Sequence, residues 1–184
     1  MRGGARCLEH RIMLDGGLIN PVAMLALELR LLLLVLIANG VPIIATAVCG
    51  AWGAQPLDGG RVLADGHRLL GDAKTWRGVV LAPLVTGLAA ALFGLPAEVG
   101  VVIGLAAMLG DLLSSFVKRR LGMASSSMAF GLDQIPEAWL PLLAVSSLFE
   151  LTGSVIAGIV AGFIVLELAL SRLLYWLGIR KRPY

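Results

Sequence analysis

PLDGGRVLADGHRLLGDAKTWRG, residues 56–78, is a polar segment inside a chain that is otherwise strongly apolar. Its aspartates and basic side chains exclude it from the hydrocarbon core of a bilayer, where a charged group is costly. Glycine permits close backbone approach, arginine and lysine bind anions, and aspartate binds cations. The segment is therefore expected in water at one membrane face, where it suits a metal-bound phosphate.

The rest of the chain has the composition of an integral membrane protein. Of its 184 residues, 58% are hydrophobic and 15% are charged, and the mean hydropathy is +0.89. A soluble domain of this size does not have enough polar surface to cover so many apolar side chains. The apolar runs are long and lack the alternation typical of transmembrane strands. We therefore predict an all-α, polytopic protein of the cell membrane.

Five apolar runs are candidates to cross the bilayer as helices. Short turns join the second run to the third and the fourth to the fifth, so two longer connections lie on the same side: the first loop, residues 50–74, and the second loop, residues 122–135. We expect one membrane-embedded domain over residues 23–177, after a disordered extension, 1–22, and before a basic tail, 178–184. The five predicted spans cover residues 23–49, 75–93, 97–121, 136–151 and 154–177.

Basic residues are concentrated on the side of the two loops. The first loop with its boundary carries four lysines or arginines, the end of the third span carries three and the tail carries three, whereas the opposite side has Arg2, Arg6 and Arg11. Positively charged loops stay in the cytoplasm. The loops and the C-terminus are therefore predicted to be cytoplasmic, and the N-terminus to lie outside.

The third span carries polar side chains at helical spacing. Asp111, Ser114, Ser115 and Lys118 form one stripe that ends at the predicted cytoplasmic surface, where Arg119 follows. An ionisable residue inside a membrane is a functional hypothesis by default. The stripe suits a cation at Asp111 and phosphates near Lys118. A structural contact of Asp111 with Lys118 or Ser115 is the alternative.

A second carboxylate, Asp133, stands at the end of the second loop, just before Pro136 opens the fourth span. Asp111 and Asp133 can share one ion if the loop brings them together. Asp133 can equally cap the fourth helix, with Pro136 in its first turn and Glu137 favourable to the helix dipole. Both interpretations remain open from the residues alone.

Polar candidates also occur at the start of the second span and inside the first. Lys74, Thr75 and Arg77 place two basic side chains around a predicted N-cap threonine, which indicates an anion site at a helix N-terminus. Asn39 lies before Pro42, which removes a backbone hydrogen bond from the first span. Asn39 is expected either to bond a neighbour at this kink or to form the polar floor of a cavity.

Four motifs, in order along the chain, resemble the archaeal CDP-archaeol synthase family, a distant relative of the CDP-diacylglycerol synthases. The resemblance runs from about residue 38 to residue 137, and the last two spans match only as hydrophobic helices. The motifs are ANGVP at 38–42, PLDGG at 56–60 followed by DGHRLLGDAKTWRG at 65–78, GDLLSSFVKRRLG at 110–122, and LDQIPE at 132–137.

This resemblance implies transfer of a cytidylyl group from CTP to the phosphate of an isoprenoid diether lipid. The products are CDP-archaeol, in its unsaturated form, and pyrophosphate, with Mg²⁺ as cofactor. A lipid phosphate is mostly a dianion at neutral pH and needs no general base, so the chemistry rests on neutralising and orienting phosphates. The isoprenoid chains are expected to stay among the membrane lipids. No nucleic-acid partner is expected, and the sequence indicates no particular oligomeric state.

The candidate site residues follow from the resemblance and from the polar pattern together. Asp111 and Asp133 are predicted to bind Mg²⁺, and with Lys74 and Lys118 they form the predicted catalytic set. The residues predicted to bind CTP or the lipid phosphate are Asn39, Asp58, Lys74, Thr75, Arg77, Ser114, Ser115, Lys118 and Arg119.

Two other functions remain open at this stage. A small transporter or channel would use Asn39, Asp111 and Glu167 as a polar path, although the polar residues gather near one face rather than at the midplane. A CDP-alcohol phosphotransferase would consume a CDP-lipid and release CMP, and the DGGR sequence at 58–61 is superficially similar to its motif.

Overall fold

The computed structural model describes residues 21–125, 127 and 129–178, and within these ranges the chain forms five helices with no strand beyond isolated bridges. The predicted extension up to residue 20 and the tail from residue 179 lie outside the described residues. The helices are α1 (Pro21–Cys49), α2 (Trp76–Leu92), α3 (Ala97–Arg120), α4 (Gln134–Phe149) and α5 (Gly153–Trp176).

The helices confirm the prediction of an all-α membrane bundle. In the part of the chain that the structure describes, three helical segments are long and apolar enough to cross a membrane: Met24–Cys49, Ala97–Arg120 and Gly153–Trp176. The shorter α2 is also apolar, and its 17 residues extend about 25 Å at ~1.5 Å per residue. Helix α1 begins at Pro21, two residues before the predicted start, because proline is well tolerated in the first turn.

Helices α2 and α3 pack closely through glycines. A Cβ atom on Gly100 would lie 2.2 Å from the carbonyl oxygen of Thr86, and one on Gly104 would lie 2.5 Å from the Cα of Pro83. Only glycine permits such an approach, as in the small-residue contacts typical of membrane helices. The two backbones are therefore in direct contact, which fixes α3 against α2.

Helices α3 and α4 cross at Gly110. A Cβ atom on this glycine would lie 2.3 Å from the carbonyl oxygen of Pro136 and 2.9 Å from the backbone nitrogen of Glu137. Asp111 follows Gly110 directly, so the crossing holds the carboxylate of α3 beside the first turn of α4. The polar stripe of α3 consequently faces the inside of the bundle rather than lipid.

The first loop is organised around the carboxylate of Asp58, which is buried. The backbone amides of Leu70 and Gly71 each donate a hydrogen bond of 3.0 Å to its Oδ2, and Arg68 Nη2 lies 2.7 Å from its Oδ1. The amide of Gly60 donates to Oδ1 as well. Asp58 was predicted to contact nucleotide or metal-bound water, but these contacts give it a role in holding the loop together.

Arg120, at the end of α3, attaches the first loop to the helix bundle. Its guanidinium donates to the carbonyl oxygen of Arg68 at 2.6 Å and forms an ion pair with Asp65 at 2.8 Å. The loop is therefore fixed to the basic end of α3, although it has no helix of its own.

We expect Asp58→Asn to lower the free energy of unfolding by about 2 kcal/mol at pH 7, because a buried carboxylate would lose its charge-assisted hydrogen bonds. The hydrogen bond from Arg68 holds the pKa of Asp58 well below its usual range. A lowered pKa means that the stabilisation is complete above the unfolded pKa of about 4 and is lost as pH falls further, so the deficit of the variant should shrink there.

Thermal unfolding in detergent at several pH values measures this effect. Asp65→Asn is the matched control, because it removes a more exposed ion pair of the same loop, for which less than about 1 kcal/mol is expected. Equal melting temperatures for the two variants at pH 7 would contradict a central role for Asp58 in the loop.

Candidate active site

Charged side chains from the two loops, α3 and α4 meet inside the bundle and form what we term the central charged cluster: Lys74, Asp111, Lys118, Asp133 and Glu137. Lys74 pairs with Asp111, and Lys118 Nζ lies 2.7 Å from Asp133 Oδ1. None of these four side chains is more than 21% exposed, and Glu137 is equally buried. The structure thus brings together all four residues of the predicted catalytic set.

Lys74 is held in the cluster by negative charge. Burial by itself would lower its pKa, but the carboxylate of Asp111 and then that of Glu137 act in the opposite direction, and the pKa of Lys74 is raised. The lysine is therefore a cation at neutral pH. Asp111 forms its ion pair with Lys74 and not with Lys118. The contact within α3 that the sequence left open is therefore replaced by a contact between α3 and the first loop.

Lys118 and Asp133 connect α3 with the second loop. The Lys118 ammonium also donates to the carbonyl oxygen of Ser127 at 3.0 Å, and Asp133 Oδ2 accepts a 3.0 Å hydrogen bond from the amide of Ala129. Asp133 occupies the N-cap position of α4, but its side chain makes no capping hydrogen bond. The capping interpretation of Asp133 is therefore wrong, because the carboxylate turns back toward the loop and Lys118.

Glu137 is the member of the cluster that the sequence patterns did not identify as a site residue. Its carboxyl group lies within hydrogen-bonding reach of that of Asp111, and the charge of Glu167 acts on it as well. One signal was present: Glu137 comes four residues after Asp133, so the two side chains share a helix face if α4 starts early enough. Glu137 was not identified as a site residue because a favourable interaction with the helix dipole already explained an acidic side chain in the first turn of α4.

The carboxyl groups of the cluster fit a magnesium ion. Two carboxyl groups within hydrogen-bonding reach, here Asp111 and Glu137, need a shared proton or a nearby cation. Among residues 21–125, 127 and 129–178, no three His, Cys, Asp or Glu side chains form an all-protein metal cage. Mg²⁺ does not require one, since it is usually bound by one or two carboxylates together with water and substrate phosphates. The donor set therefore suits Mg²⁺ that is bound together with a nucleotide.

Arg77 lies outside the cluster and binds the end of α1. Its guanidinium donates to the carbonyl oxygens of Gly50 at 3.0 Å and Trp52 at 2.6 Å, and to Thr46 Oγ1 at 3.2 Å. A cation at a helix C-terminus satisfies the last carbonyl groups and the helix dipole. The predicted phosphate contact of Arg77 is thus replaced by a structural link between α1 and α2.

Thr75 and Asn39 make hydrogen bonds that hold the helices next to the central charged cluster. Thr75 Oγ1 accepts a 3.4 Å hydrogen bond from the amide of Gly78, so the predicted N-cap of α2 is confirmed. Asn39 Nδ2 donates to the carbonyl oxygens of Val35 at 3.0 Å and Glu137 at 3.4 Å. The structure favours the neighbour-bonded interpretation of Asn39, whose side chain joins α1 to the first turn of α4.

The remaining candidates lie on the buried side of α3. Ser114 Oγ donates to the carbonyl oxygen of Asp111 at 3.0 Å, and Ser115 is buried on the same helix. Arg119 donates to the carbonyl oxygen of Ala124 at 2.7 Å. The serines therefore stay next to the cluster, whereas Arg119 fixes the beginning of the second loop.

Comparison with known proteins gives one consistent family. The family model described as CarS-like, CDP-archaeol synthase, matches residues 23–99 and 96–184. The chain is 38% identical over 163 residues to a CDP-archaeol synthase of Aeropyrum pernix, covering 84% of this chain and 89% of the relative. It is 34% identical over 164 residues to one of Natronomonas pharaonis, covering 73% and 87%.

A solved structure is also similar, with a TM-score of 0.63 and 36% sequence identity over 77% of this chain and 90% of the other. It is described as structural insight into an intramembrane enzyme for archaeal membrane lipid biosynthesis. The sequence is therefore similar to the CDP-archaeol synthases over most of its length, and the fold is similar to that of this intramembrane enzyme.

Proposed function

Since the chain belongs to the CDP-archaeol synthase family of CTP-dependent cytidylyltransferases, we propose that its central charged cluster is the active site and that it uses Mg²⁺. The lipid substrate that we propose is the unsaturated diether, digeranylgeranylglyceryl phosphate. The site faces the cytoplasm in this proposal, because both loops and the basic end of α3 lie on one side of the bundle.

The observation that supports this assignment is the pairing of two lysines with two carboxylates beside a further acidic residue. Lys74 and Lys118 belong to separate segments, and each contacts its own carboxylate inside the bundle. Phosphate oxygens compete with the carboxylates for the lysines, and a cation competes with the lysines for the carboxylates. The cluster can therefore accept both parts of a metal–nucleotide complex without leaving a buried charge unpaired.

The reaction needs charge neutralisation more than proton transfer. An oxygen of the lipid phosphate attacks the α-phosphorus of CTP, the bond from that phosphorus to the bridging oxygen of the β-phosphate breaks, and pyrophosphate leaves. The attacking phosphate is mostly a dianion at neutral pH. Lys74 and Lys118 hold the phosphates in line and offset their mutual repulsion.

The carboxylates of Asp111 and Glu137 would hold Mg²⁺, in place of the pair Asp111 and Asp133 predicted from the sequence. Glu137 lies beside Asp111, whereas Asp133 is paired with Lys118. When bound, the ion supplies further neutralisation and orientation of phosphate oxygens. The hydrogen bond from the Asn39 side chain to the backbone carbonyl oxygen of Glu137 keeps this carboxylate-bearing turn against α1. The isoprenoid chains remain in the bilayer while the phosphate reaches the cluster between helices.

Pyrophosphate release from CTP by the protein purified in detergent tests the proposal, with and without digeranylgeranylglyceryl phosphate and with and without Mg²⁺. Release that requires both the lipid and Mg²⁺ is expected. A rate unaffected by chelation would contradict the metal assignment, and the saturated lipid as the sole substrate would contradict the choice of chain. Release of CMP from a CDP-lipid instead would indicate the phosphotransferase.

We expect Glu137→Gln to raise the Mg²⁺ concentration for half-maximal activity about tenfold. Substitution of residues around a metal site commonly lowers metal affinity by about this factor. Binding of Mn²⁺, followed by its electron paramagnetic resonance signal in the absence of substrates, should weaken in parallel. Glu150→Gln is the matched control, because Glu150 lies at the other end of α4. Unchanged Mn²⁺ binding in Glu137→Gln would remove this residue from the metal site.

A further inference from the structure

Pro141 stands inside α4 and removes one hydrogen bond of this helix. In an α-helix the N–H group of each residue donates to the carbonyl oxygen four residues before it, and proline has no N–H group. The carbonyl oxygen of Glu137 has therefore lost its regular donor within α4. Pro141 is fully buried and Glu137 is buried, and a buried backbone carbonyl group without a partner is costly. Another segment of the bundle has to supply the donor.

Asn39 of α1 supplies a donor to this carbonyl group. Its Nδ2 atom donates to the carbonyl oxygen of Glu137 at 3.4 Å and to that of Val35 at 3.0 Å. A carboxamide nitrogen has two protons, so both are used. Val35 lies one turn before Asn39 in α1, and this bond holds the side chain against its own helix. The other bond joins residues that are 98 positions apart, so it is a tertiary contact directed at α4.

The backbone of Glu137 is consequently held from two sides. On its amide side lies Gly110 of α3, where a Cβ atom would be 2.9 Å from the Glu137 nitrogen. On its carbonyl side lies Asn39 of α1. Helix α4 has extensive contact with α3 and much less with α1, which makes this hydrogen bond important for the α1 side. The carboxyl group of Glu137 lies within reach of Asp111, and its position depends on both sides.

We propose that Asn39 and Pro141 form a positioning unit for Glu137: the proline opens the carbonyl group, and the asparagine of another helix binds it. Neighbouring helices commonly satisfy the backbone groups that a proline frees in a membrane helix. With an N–H group at position 141, α4 would satisfy this carbonyl group itself, and α1 would lose its hold on the first turn of α4. The inference rests on the proposed function, since it takes Glu137 as a ligand of Mg²⁺.

Asn39→Leu tests the unit, because leucine keeps the branching of the side chain and has no donor. We expect kcat to fall about tenfold and Mn²⁺ to bind about tenfold more weakly, since residues that orient metal ligands commonly have effects of this size. Mn²⁺ binding is followed by electron paramagnetic resonance without substrates, and KM for CTP should change little. In Glu137→Gln, adding Asn39→Leu should weaken Mn²⁺ binding no further, because Asn39 acts through Glu137.

Pro141→Ala provides the rescue, because alanine returns an N–H group to the carbonyl oxygen of Glu137. In this background Asn39→Leu should weaken Mn²⁺ binding less than about twofold, and the double variant should melt at a higher temperature than Asn39→Leu alone. Pro83→Ala is the matched control, since Pro83 is also a buried proline inside a helix, α2. It should leave the weak Mn²⁺ binding of Asn39→Leu in place.

Thr86→Val is the control for the loss of a buried donor, because the Thr86 hydroxyl group donates to the carbonyl oxygen of Ala82 in the same helix. It should lower the melting temperature and leave Mn²⁺ binding unchanged. Unchanged Mn²⁺ binding in Asn39→Leu, or an equal loss with and without Pro141→Ala, would overturn the positioning unit. A wild type that releases no pyrophosphate would instead reject the proposed function, while Mn²⁺ binding and melting temperatures would still decide the role of Asn39 and Pro141.

Discussion

Asp111→Asn is expected to lower kcat by at least about a hundredfold with the fold intact, comparable to the loss of one preorganised electrostatic contact in other active sites. Asp111 is the residue on which the cluster converges, since it pairs with Lys74 and lies within reach of Glu137. Its carboxylate pairs with the lysine and, in the proposed mechanism, would also offer an oxygen to the metal. An amide keeps the shape of the side chain but supplies no negative charge.

The control for this variant is Glu98→Gln, which changes an exposed carboxylate in the first turn of the same helix and should leave the rate unchanged. Asp111→Asn also leaves Lys74 without its counter-ion, so stability must be measured together with activity. The double variant Lys74→Gln, Asp111→Asn removes both charges and should recover stability without recovering activity. If Asp111→Asn kept more than about half of the wild-type rate, Asp111 would have no part in the mechanism.

The helices and the polar face of α3 were predictable from the sequence because they depend on local patterns. The apolar runs gave all five helices to within about two residues at each end, and the spacing of Asp111, Ser114 and Lys118 predicted their common stripe. Thr75 was predictable as an N-cap for the same reason. Each of these features involves residues within about two turns of one another.

The pairings within the cluster were not predictable in this way. Lys74 and Asp111 are 37 residues apart, and they meet only because the first loop folds around Asp58 and is attached to α3 by Arg120. Glu137 joins them because Gly110 lets α4 approach. No short-range pattern predicts the contact of Lys74 with Asp111 or the approach of α4 at Gly110. The alternatives for Asp111 and Asp133 therefore remained open until the tertiary contacts were known.

The basic candidates show a different limit, which is chemical. Arg77 and Arg119 were predicted to bind phosphates, but both donate to backbone carbonyl groups near helix ends. A guanidinium has the same planar donors for a phosphate oxygen and for a carbonyl oxygen. A motif that contains an arginine therefore does not reveal whether the guanidinium binds a phosphate or a carbonyl group. The two lysines are the better candidates for phosphate binding, because each is paired with a carboxylate inside the cluster.

Gly110→Ala is expected to lower kcat about a hundredfold although it adds only one methyl group outside the cluster. The new Cβ would lie 2.3 Å from the carbonyl oxygen and 2.6 Å from the carbonyl carbon of Pro136, so backbone must move rather than a flexible side chain. Overpacking of this kind costs about 1–3 kcal/mol. The displacement also separates Asp111 from Glu137, and a shift of ~1 Å in a positioned group can cost about a hundredfold in rate.

Gly158→Ala is the matched control, because Gly158 is also helical and a Cβ atom there meets nothing within 4 Å. This variant should keep its activity and its melting temperature, since alanine favours a helix more than glycine does. Activity and melting temperature measured for both proteins in the same detergent separate the crossing from a general effect of the substitution. A Gly110→Ala protein as active as Gly158→Ala would mean that the α3–α4 crossing does not set the geometry of the charged cluster.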